Sequence, residues 1–377
     1  MQGIRELWRA CWQRLPHKWL WQGVCLGALL WLAGQPPQPQ VWIGPPQQVE
    51  TINPKIGIHT RLTDEVEAWK IKRTLEMVRE MGASWIVEYF PWSYYEPAKG
   101  CYDWAHADSV VDHAIAQGLT VVARVDMVPE WARPRESTFR YLDEAHYEDY
   151  GAFLGAFAAH FRGRIRHLIV WNEPNLSFEW GYRPVSPESY TALLQVAYRH
   201  IKEANPEMLV VAAGLAPTLA PPESEWGMDD LVFLQRMYDA GAGPYFDMMA
   251  IHAYGWTSPA DEPPATDAVN WRRAELIRAV MVQNGDEGKK CLITEGGWND
   301  HPRWVHSVSP YQRIAYTVRA YEMAAQEWPW CEAVALWAFR YPRPTRTYQD
   351  YFTFVSSGFV AKPIYLEVQR YARGEQP

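Results

Sequence analysis

The sequence predicts a (β/α)8 TIM barrel, a closed ring of eight parallel strands with helices on its outside. From about residue 52 onwards, eight apolar runs suited to buried parallel strands recur, separated by helical stretches. This rhythm is typical of such a barrel. A doubly wound open sheet is the alternative, but no glycine-rich phosphate loop follows any run. The expected strands are 55–59, 84–90, 119–126, 166–172, 208–214, 246–252, 290–295 and 332–339, and the expected helices are 64–81, 105–117, 145–161, 187–204, 228–240, 268–284 and 309–327.

The first fifty residues differ in character from the rest of the chain. Basic residues, the last of them Lys18, precede the run 19–34, in which no residue is charged. This run is short for a membrane-spanning helix and long for the apolar region of a signal peptide. We expect an uncleaved signal-anchor with its positive end inside. A cleaved signal peptide and a buried or amphipathic helix of a cytosolic protein are the alternatives.

The chain therefore divides into three expected segments. Residues 1–34 form the signal-anchor or signal peptide, 35–51 a Pro- and Gln-rich extended linker, and 52–377 a single barrel domain. The first segment predicts an extracytoplasmic protein that is either secreted or held to the membrane through this segment alone.

Two of the expected strands end in a glutamate. Residues 168–174 read Leu-Ile-Val-Trp-Asn-Glu-Pro, and residues 291–298 read Cys-Leu-Ile-Thr-Glu-Gly-Gly-Trp. A single glutamate of this kind is commonly a neighbour of a helix cap, an ion-pair partner or a solvated loop residue. In a barrel, however, Glu173 and Glu295 would both open at the carboxyl-end face, where functional groups gather. Two glutamates in one cleft are what glycosidic bond cleavage needs, because one protonates the leaving oxygen and the other attacks the sugar or activates water.

With these motifs the chain resembles the clan A glycoside hydrolases, which are retaining (β/α)8 enzymes. The resemblance implies that Glu173 is the acid/base and Glu295 the nucleophile of a double displacement, acting on β-linked oligo- or polysaccharides. The resemblance extends through most of residues 53–365, and the chain is similar to the cellulase-like family 5 and β-xylosidase-like family 39 branches of this clan. The further motifs that carry it are Trp92, Glu96-Pro97, Gly100, Tyr102-Asp103-Trp104, the helix through Asp108 and Asp112, residues 118–122 and residues 129–132.

Further residues are candidates for binding substrate. His252 and Tyr254 alternate onto one side of the sixth strand, so both can point into the cavity. The resemblance implies that Tyr254 contacts the nucleophile, that His252 lines the subsite of the cleaved sugar and that Trp337 lies beneath that sugar. Asn172 would donate a hydrogen bond to the sugar 2-hydroxyl. Trp92 and Arg124 complete the set, and His59 and Arg61 are expected at the rim or in the cavity.

Composition and charge exclude several other functions. The net charge is −8 and no basic stripe interleaves with the aromatic residues, which argues against a nucleic-acid partner. The same acidic balance favours neutral substrates over polyanions. None of the five cysteines lies at metal-ligand spacing from another cysteine or a histidine, so we expect no metal, no cofactor and no disulfide framework.

Three other functions are alternatives. A transglycosylase would use the same residues, so the sequence does not separate it from a hydrolase. A non-catalytic carbohydrate-binding barrel would need only the aromatic platforms, and the presence of both glutamates with Asn172, His252 and Tyr254 argues against it. A metal-dependent hydrolase would need a ligand cluster that His252 and Tyr254 do not provide. The 21 tryptophans suit both sugar-stacking platforms and core packing. Specificity is expected in the loops after the strands, which carry Trp180, Trp226, Trp256, Trp298 and Trp304.

Overall fold

The computed structural model describes residues 21–27, 41–221 and 223–375. Eight parallel strands pair in chain order and close into a barrel, because the eighth strand pairs with the first. The predicted fold is confirmed. The strands are β1 Ile56–His59, β2 Trp85–Pro91, β3 Thr120–Asp126, β4 His167–Val170, β5 Leu209–Ala212, β6 Met248–Tyr254, β7 Lys290–Gly297 and β8 Cys331–Leu336.

A helix follows each strand and packs outside the barrel. The first seven occupy the helical stretches expected from sequence, and the eighth, after β8, is additional to them. Polar residues define some of these helix starts: Ser309 and Gln312 form a reciprocal capping box at the start of α7. The helices are α1 Ala68–Glu80, α2 Ala105–Ala116, α3 Tyr147–His160, α4 Pro187–Ala204, α5 Asp230–Asp239, α6 Arg273–Gln283, α7 Pro310–Gln326 and α8 Pro363–Ala372.

The core consists of two apolar layers. The larger lies between the sheet and the helices. The smaller fills the barrel interior with side chains from seven strands: Val87, Val122, Ile169, Val211, Met248, Ala250, Leu292, Ala333 and Ala335. The interior is thus packed, as barrel interiors are, and a cavity can open only at its ends.

Strand alternation carries polar residues from this interior layer to the carboxyl-end face. On β3, Arg124 and Asp126 follow the interior residue Val122 at every second position, so both point inward. On β6 the same alternation places His252 and Tyr254 above the interior layer. Their positions therefore follow directly from the strand period.

The chain divides into two units, 1–42 and 43–377, and only residues 21–27, 41 and 42 of the first are described. In the first, residues 21–27 are helical and exposed, and the rest of the predicted signal segment 1–34 lies outside the described residues. No helix in the described part of the chain is long and apolar enough to cross a membrane. The end of the predicted linker 35–51 belongs to the barrel unit, where the N–H of Gln47 donates to the carbonyl of Ala116 at 2.7 Å.

Candidate active site

Glu173 stands on a sharp turn three residues after β4. Both Trp171 and Glu173 have positive φ, 76° and 41°, in a region that side-chain-bearing residues seldom adopt. Tertiary contacts hold this backbone: Trp171 is buried and its indole N–H donates to the carbonyl of Glu179 at 3.0 Å. The N–H of Glu173 donates to the carbonyl of Gly214 at 3.1 Å. Backbone in such a conformation is often found at functional sites.

Glu295 faces the barrel interior because of an irregularity in β7. Ile251 pairs with Ile293, but the next residue, His252, pairs with Glu295, so Thr294 is an extra residue in the strand. Since Leu292 points inward, strict alternation would turn Glu295 outward. A bulge of this kind re-aims side chains and is frequent beside active sites. The bulge therefore brings the predicted nucleophile into the cavity.

The two glutamates and His252 converge on one point. One ligand-type atom from each of Glu173, His252 and Glu295 lies within 4.8 Å of the others. Carboxyl groups about 5–5.5 Å apart are typical of retaining glycosidases, whereas inverting enzymes hold them about 6.5–9.5 Å apart to admit a water. The short distance between these atoms therefore favours the retaining arrangement over the inverting one.

Several donors surround Glu295 and stabilise its ionised form. Arg124 Nη1 donates to Oε1 at 2.5 Å and the Tyr254 hydroxyl donates to Oε2 at 3.2 Å. Burial raises the pKa of Glu295, but the positive charges of His252 and Arg124, with His59 and the Arg124 hydrogen bond, outweigh it and bring that pKa to about 2. Glu295 is thus ionised at neutral pH, as a nucleophile must be.

His252 links the two carboxylates. Its Nδ1 lies 2.8 Å from Glu173 Oε1 and 3.9 Å from Glu295 Oε2. Burial lowers the pKa of His252, but Glu295 and the hydrogen bond to Glu173 overcome this and raise the pKa overall. The imidazole packs directly on Gly214, where an added Cβ would lie 2.3 Å from the ring. A glycine is therefore required beneath it.

A buried ionic chain extends from Glu295 across the cavity wall. Arg124, which also donates to Asn172 Oδ1 at 2.8 Å, has its Nε 3.3 Å from Asp126. Arg140 lies 2.8 Å from the same carboxylate and 3.0 Å from Glu179. Burial raises the pKa of Glu179 to about 7, with Arg140 opposing the shift and nearby carboxylates reinforcing it. A third carboxyl group, partly protonated at neutral pH, therefore lines the site.

The site opens into a cavity of about 330 Å³ at the carboxyl ends of the strands, here termed the catalytic cavity. Aromatic residues of the later loops form one side of it. Trp304 stacks on Tyr348 with ring centroids 4.7 Å apart, and Trp337, directly after β8, donates its indole N–H to the Tyr341 hydroxyl. The cavity is lined by Arg61, Arg124, Arg140, Asn172, Glu173, Glu179, Tyr254, Trp256, Glu295, Trp304, Trp337, Tyr348, Gln349 and Phe352.

The structure brings most of the predicted site residues together. Six of the eight line the catalytic cavity, and His252 lies against both glutamates. The six are Arg124, Asn172, Glu173, Tyr254, Glu295 and Trp337.

The loop tryptophans lie in different environments. Trp256 and Trp304 line the cavity, whereas Trp180 and Trp298 are buried in the core and Trp226 lies elsewhere on the surface.

Trp92 is the predicted substrate-binding residue that requires correction. It is fully buried in the single-turn helix Trp92–Tyr95 and is not among the residues that line the cavity. Its indole N–H donates to Glu96 Oε2 at 2.5 Å, and its ring packs edge-on against Trp131 and Tyr150. Its role is packing beneath the loops, because the surrounding rings leave it no surface for a sugar.

Sequence reasoning missed the outer part of the ionic chain. Asp126 could have been found from the strand period, since it lies two residues beyond Arg124 on the inward face of β3. Arg140 and Glu179 belong to loops, and no periodic signal marks them. Only their mutual contacts in the folded chain identify them as site residues.

Glu173, His252 and Glu295 are also close enough together to hold a metal ion. The guanidinium of Arg124, 2.5 Å from Glu295 Oε1, opposes a cation there because it places a fixed positive charge on the same carboxylate. The donor set therefore fits proton and glycosyl transfer better than metal ligation.

Comparisons with known proteins agree with this fold. The Glyco_hydro_42 family model, described as beta-galactosidase, matches residues 63–135. No curated protein has a matching sequence. Among solved structures, a family 39 glycoside hydrolase from Bacteroides cellulosilyticus WH2 is similar at 21% identity and a TM-score of 0.68, covering 87% of this chain and 65% of that one.

Two other solved structures show the same fold. A monomeric beta-xylosidase from Caulobacter crescentus CB15 has 18% identity and a TM-score of 0.61, covering 86% of this chain and 69% of that one. A GH5_18 protein from Streptomyces cattleya in complex with GlcNAc has 16% identity and a TM-score of 0.61, covering 87% and 82%. With the family match, the shared barrel confirms the predicted resemblance to the clan A glycoside hydrolases.

Proposed function

We propose that the protein is a retaining glycoside hydrolase that cleaves β-O-glycosidic bonds in oligo- or polysaccharides by double displacement. The observation that carries this proposal is that one carboxylate oxygen of Glu173 lies within 4.8 Å of one of Glu295, which is nearer to the carboxyl separation of retaining glycosidases than to that of inverting ones. A nucleophile and an acid/base on opposite sides of one sugar carbon fit this separation.

In the first step, a carboxylate oxygen of Glu295 attacks the anomeric carbon while the bond to the leaving oxygen breaks. Protonated Glu173 gives its proton to that oxygen, so the leaving group departs as a neutral alcohol. The product is a glycosyl ester on Glu295. Arg124 and Tyr254 hold the two oxygens of Glu295 in place for the attack.

In the second step, Glu173 removes a proton from a water molecule, which attacks the same carbon and breaks the ester. Glu295 leaves as a carboxylate and Glu173 regains its proton. Two inversions give net retention of the anomeric configuration. The hydrogen bond from Arg124 to Asn172 Oδ1 at 2.8 Å supports the proposal that the Asn172 amide N–H donates to the sugar 2-hydroxyl in both transition states.

The test uses Glu295→Ala with azide, on β-glycosides that have an activated aryl leaving group. We expect the variant to lose on the order of 10⁴-fold or more in kcat, and azide to restore turnover with an α-glycosyl azide as the product. The matched variant Glu173→Ala should instead give a β-glycosyl azide, because azide then attacks the glycosyl ester from the opposite face. Unchanged activity of Glu295→Ala would refute the proposal, and products formed with added sugar acceptors would distinguish transglycosylation from hydrolysis.

We further propose that the protein acts outside the cytoplasm, either secreted or anchored by residues 1–34. The uncharged run 19–34 after the basic N-terminal residues supports this. Cell fractionation with N-terminal sequencing tests it. A protein starting at residue 1 in the membrane fraction indicates an anchor, a shortened chain outside the membrane indicates a cleaved signal, and a full-length cytosolic protein contradicts export.

A further inference from the structure

A second cavity adjoins the catalytic cavity. This outer cavity, of about 730 Å³, shares Arg61, Trp337 and Gln349 with the catalytic cavity. Its remaining wall comes from Asp64 and from residues 341–345 of the loop after β8, Tyr-Pro-Arg-Pro-Thr. A sugar bound above Trp337 would therefore have space beside it for a second residue of the same chain.

The outer cavity carries excess positive charge. Its lining contains two guanidinium groups, those of Arg61 and Arg343, against one carboxylate, that of Asp64. The charges of Arg61 and Asp64 offset each other, because Arg61 Nε donates to Asp64 at 2.9 Å and the Tyr89 hydroxyl donates to the other oxygen of that carboxylate. The excess charge is therefore that of Arg343. Arg343 is exposed and has neither a hydrogen bond nor an ion pair to any residue in the described ranges. In a chain of net charge −8, this local excess runs against the overall charge.

Arg61 is held firmly at the junction of the two cavities. Its guanidinium carbon lies 4.6 Å from the centre of the Tyr89 ring, 5.7 Å from that of Trp337 and 6.0 Å from that of Tyr341. Two of its nitrogens are used by Asp64 and Tyr89, and none of the described residues accepts a hydrogen bond from Nη1. Little conformational entropy would be lost if Nη1 bound a ligand oxygen.

Arg343 is presented by a stiff segment of backbone. It lies between Pro342 and Pro344, which fix their own φ angles and restrict the residues before them. The planar guanidinium is the side chain best suited to bind a carboxylate through two parallel hydrogen bonds. An unpaired arginine on such a segment is suited to an anionic group of the substrate.

The catalytic cavity does not offer the same charge. Arg124 and Arg140 also line it, but their positive charges are matched by Glu295, Asp126 and Glu179. A sugar in the catalytic cavity therefore meets no free guanidinium from these two residues. Preference for an anionic group is confined to the outer cavity.

We propose that the outer cavity is a second subsite that binds an acidic sugar residue, a uronic acid, joined to the residue that is cleaved. Its carboxylate binds Arg343 and Nη1 of Arg61, while the neighbouring sugar occupies the catalytic cavity above Trp337. This proposal rests on the proposed function and specifies its substrate class. The proposal reverses the preference for neutral substrates that the net charge of the chain predicts, because a bound ligand interacts with the charges that line the cavity and not with the net charge of the whole protein.

The test measures binding and not turnover. The full chain carrying Glu173→Gln, which retains the shape of the site and the charge of Glu295 beside Arg124, is titrated with uronic-acid-containing oligosaccharides and with the methyl esters of the same compounds. Esterification removes the charge and leaves the sugar and the linkage unchanged. We expect at least one acidic oligosaccharide to bind at least about tenfold more tightly than its ester, with a difference that shrinks as salt is added.

Two further variants assign the preference to the outer cavity. Adding Arg343→Ala should remove most of the difference between acid and ester. Adding Arg346→Ala should leave it intact, because Arg346 is an exposed arginine of the same loop that does not line the cavity. Both are surface changes, so equal unfolding temperatures are expected and are measured alongside.

The outcomes separate this inference from the function on which it rests. Equal binding of acids and esters throughout, or a preference that survives Arg343→Ala, overturns the acidic subsite while the azide experiment still supports a retaining hydrolase. Failure of the azide experiment, with no glycoside turned over by the unmodified protein, overturns the proposed function and the subsite assignment together.

Discussion

Replacement of Arg124 by methionine would test how the nucleophile is kept ionised. Arg124 Nη1 donates to Glu295 at 2.5 Å and to Asn172 at 2.8 Å, and its Nε lies 3.3 Å from Asp126. Methionine fills a similar apolar volume but supplies no charge and no donor. The substitution therefore leaves two buried carboxylates, at Glu295 and Asp126, with one fewer cation between them.

The size of the effect follows from the pKa of Glu295. A pKa of about 2, against the ordinary 4.5, favours the ionised form by about 3 kcal/mol. Burial acts in the opposite direction, so the favourable interactions together exceed this figure, and Arg124 is among the largest of them after His252. Without it we expect the pKa of Glu295 to rise, and the free energy of unfolding to fall by about 3–5 kcal/mol, as when one partner of a buried pair is removed.

The assay is the pH dependence of kcat/KM, together with denaturant unfolding. The acid limb of that profile reports ionisation of the nucleophile in the free enzyme. We expect it to move to higher pH by at least about one unit in Arg124→Met. An acid limb that stays at the pH of the unmodified enzyme would refute the idea that Arg124 keeps Glu295 ionised.

A matched control separates charge from stability. Arg273 is also buried and paired with carboxylates, at 2.7 Å from Asp230 and 2.8 Å from Asp229, but it does not line the catalytic cavity. Arg273→Met should lower the free energy of unfolding by a comparable amount and leave the acid limb unmoved. A shift in both variants would mean that loss of stability, and not loss of the Arg124 charge, moves the profile.

Three further variants test individual contacts. Tyr254→Phe removes the 3.2 Å hydrogen bond to Glu295, so kcat should fall about 10- to 100-fold with little change in unfolding, and a kcat within twofold of the unmodified enzyme would contradict this role. Because the pKa of Glu179 is about 7 in the folded protein and ordinary when unfolded, stability falls as pH rises from about 4.5 through 7. Glu179→Gln should therefore reduce the loss of unfolding free energy between pH 5 and 8, by up to about 3 kcal/mol. If the variant and the unmodified protein have the same pH dependence of stability, the pKa of Glu179 is not raised. Trp92→Phe loses the hydrogen bond to Glu96, so it should lower the free energy of unfolding by about 1–3 kcal/mol and leave kcat/KM unchanged, whereas a raised KM would restore a substrate role.

The fold could be predicted because its signals are local. Buried parallel strands give continuous apolar runs, and eight of these at regular spacing leave few arrangements other than a closed barrel. Residues at strand ends could be predicted for the same reason: Glu173 follows β4 and Tyr254 ends β6, so topology alone places them at one face. The apolar pattern and the number of strands were therefore sufficient to predict the fold and the face at which these residues lie.

The inward direction of Glu295 could not be derived from strand alternation. The period of two places Glu295 on the opposite face of β7 from the interior residue Leu292, and only the extra residue Thr294 reverses this. A bulge leaves no mark in the sequence, because its register is set by pairing with β6. The sequence predicted Glu295 at the carboxyl-end face from its place at the end of a strand, and its role as nucleophile from the family resemblance, but the strand period did not predict the inward direction of its side chain.

The prediction that Trp92 binds substrate was wrong because sequence position did not show which way its side chain points. An aromatic residue just after a barrel strand was expected at the substrate, yet its side chain turns into a cluster with Trp131 and Tyr150. Whether a tryptophan faces a cavity or the core depends on what packs against it from other loops. With 21 tryptophans in the chain, composition alone could not separate these two environments.

Two carboxyl groups of one cavity thus acquire different ionisation states from their surroundings. Glu295 accepts hydrogen bonds from Arg124 and Tyr254 and is held ionised, while burial outweighs Arg140 at Glu179 and favours its protonated form. The two are connected through Arg140, Asp126 and Arg124, so a change in the charge of one alters the field at the other. Because that chain also fixes Asn172, the position of a substrate-binding group and the ionisation of the nucleophile depend on the same guanidinium. A substitution at any residue of this ionic chain should therefore change the pH dependence of activity even where the shape of the cavity is unchanged.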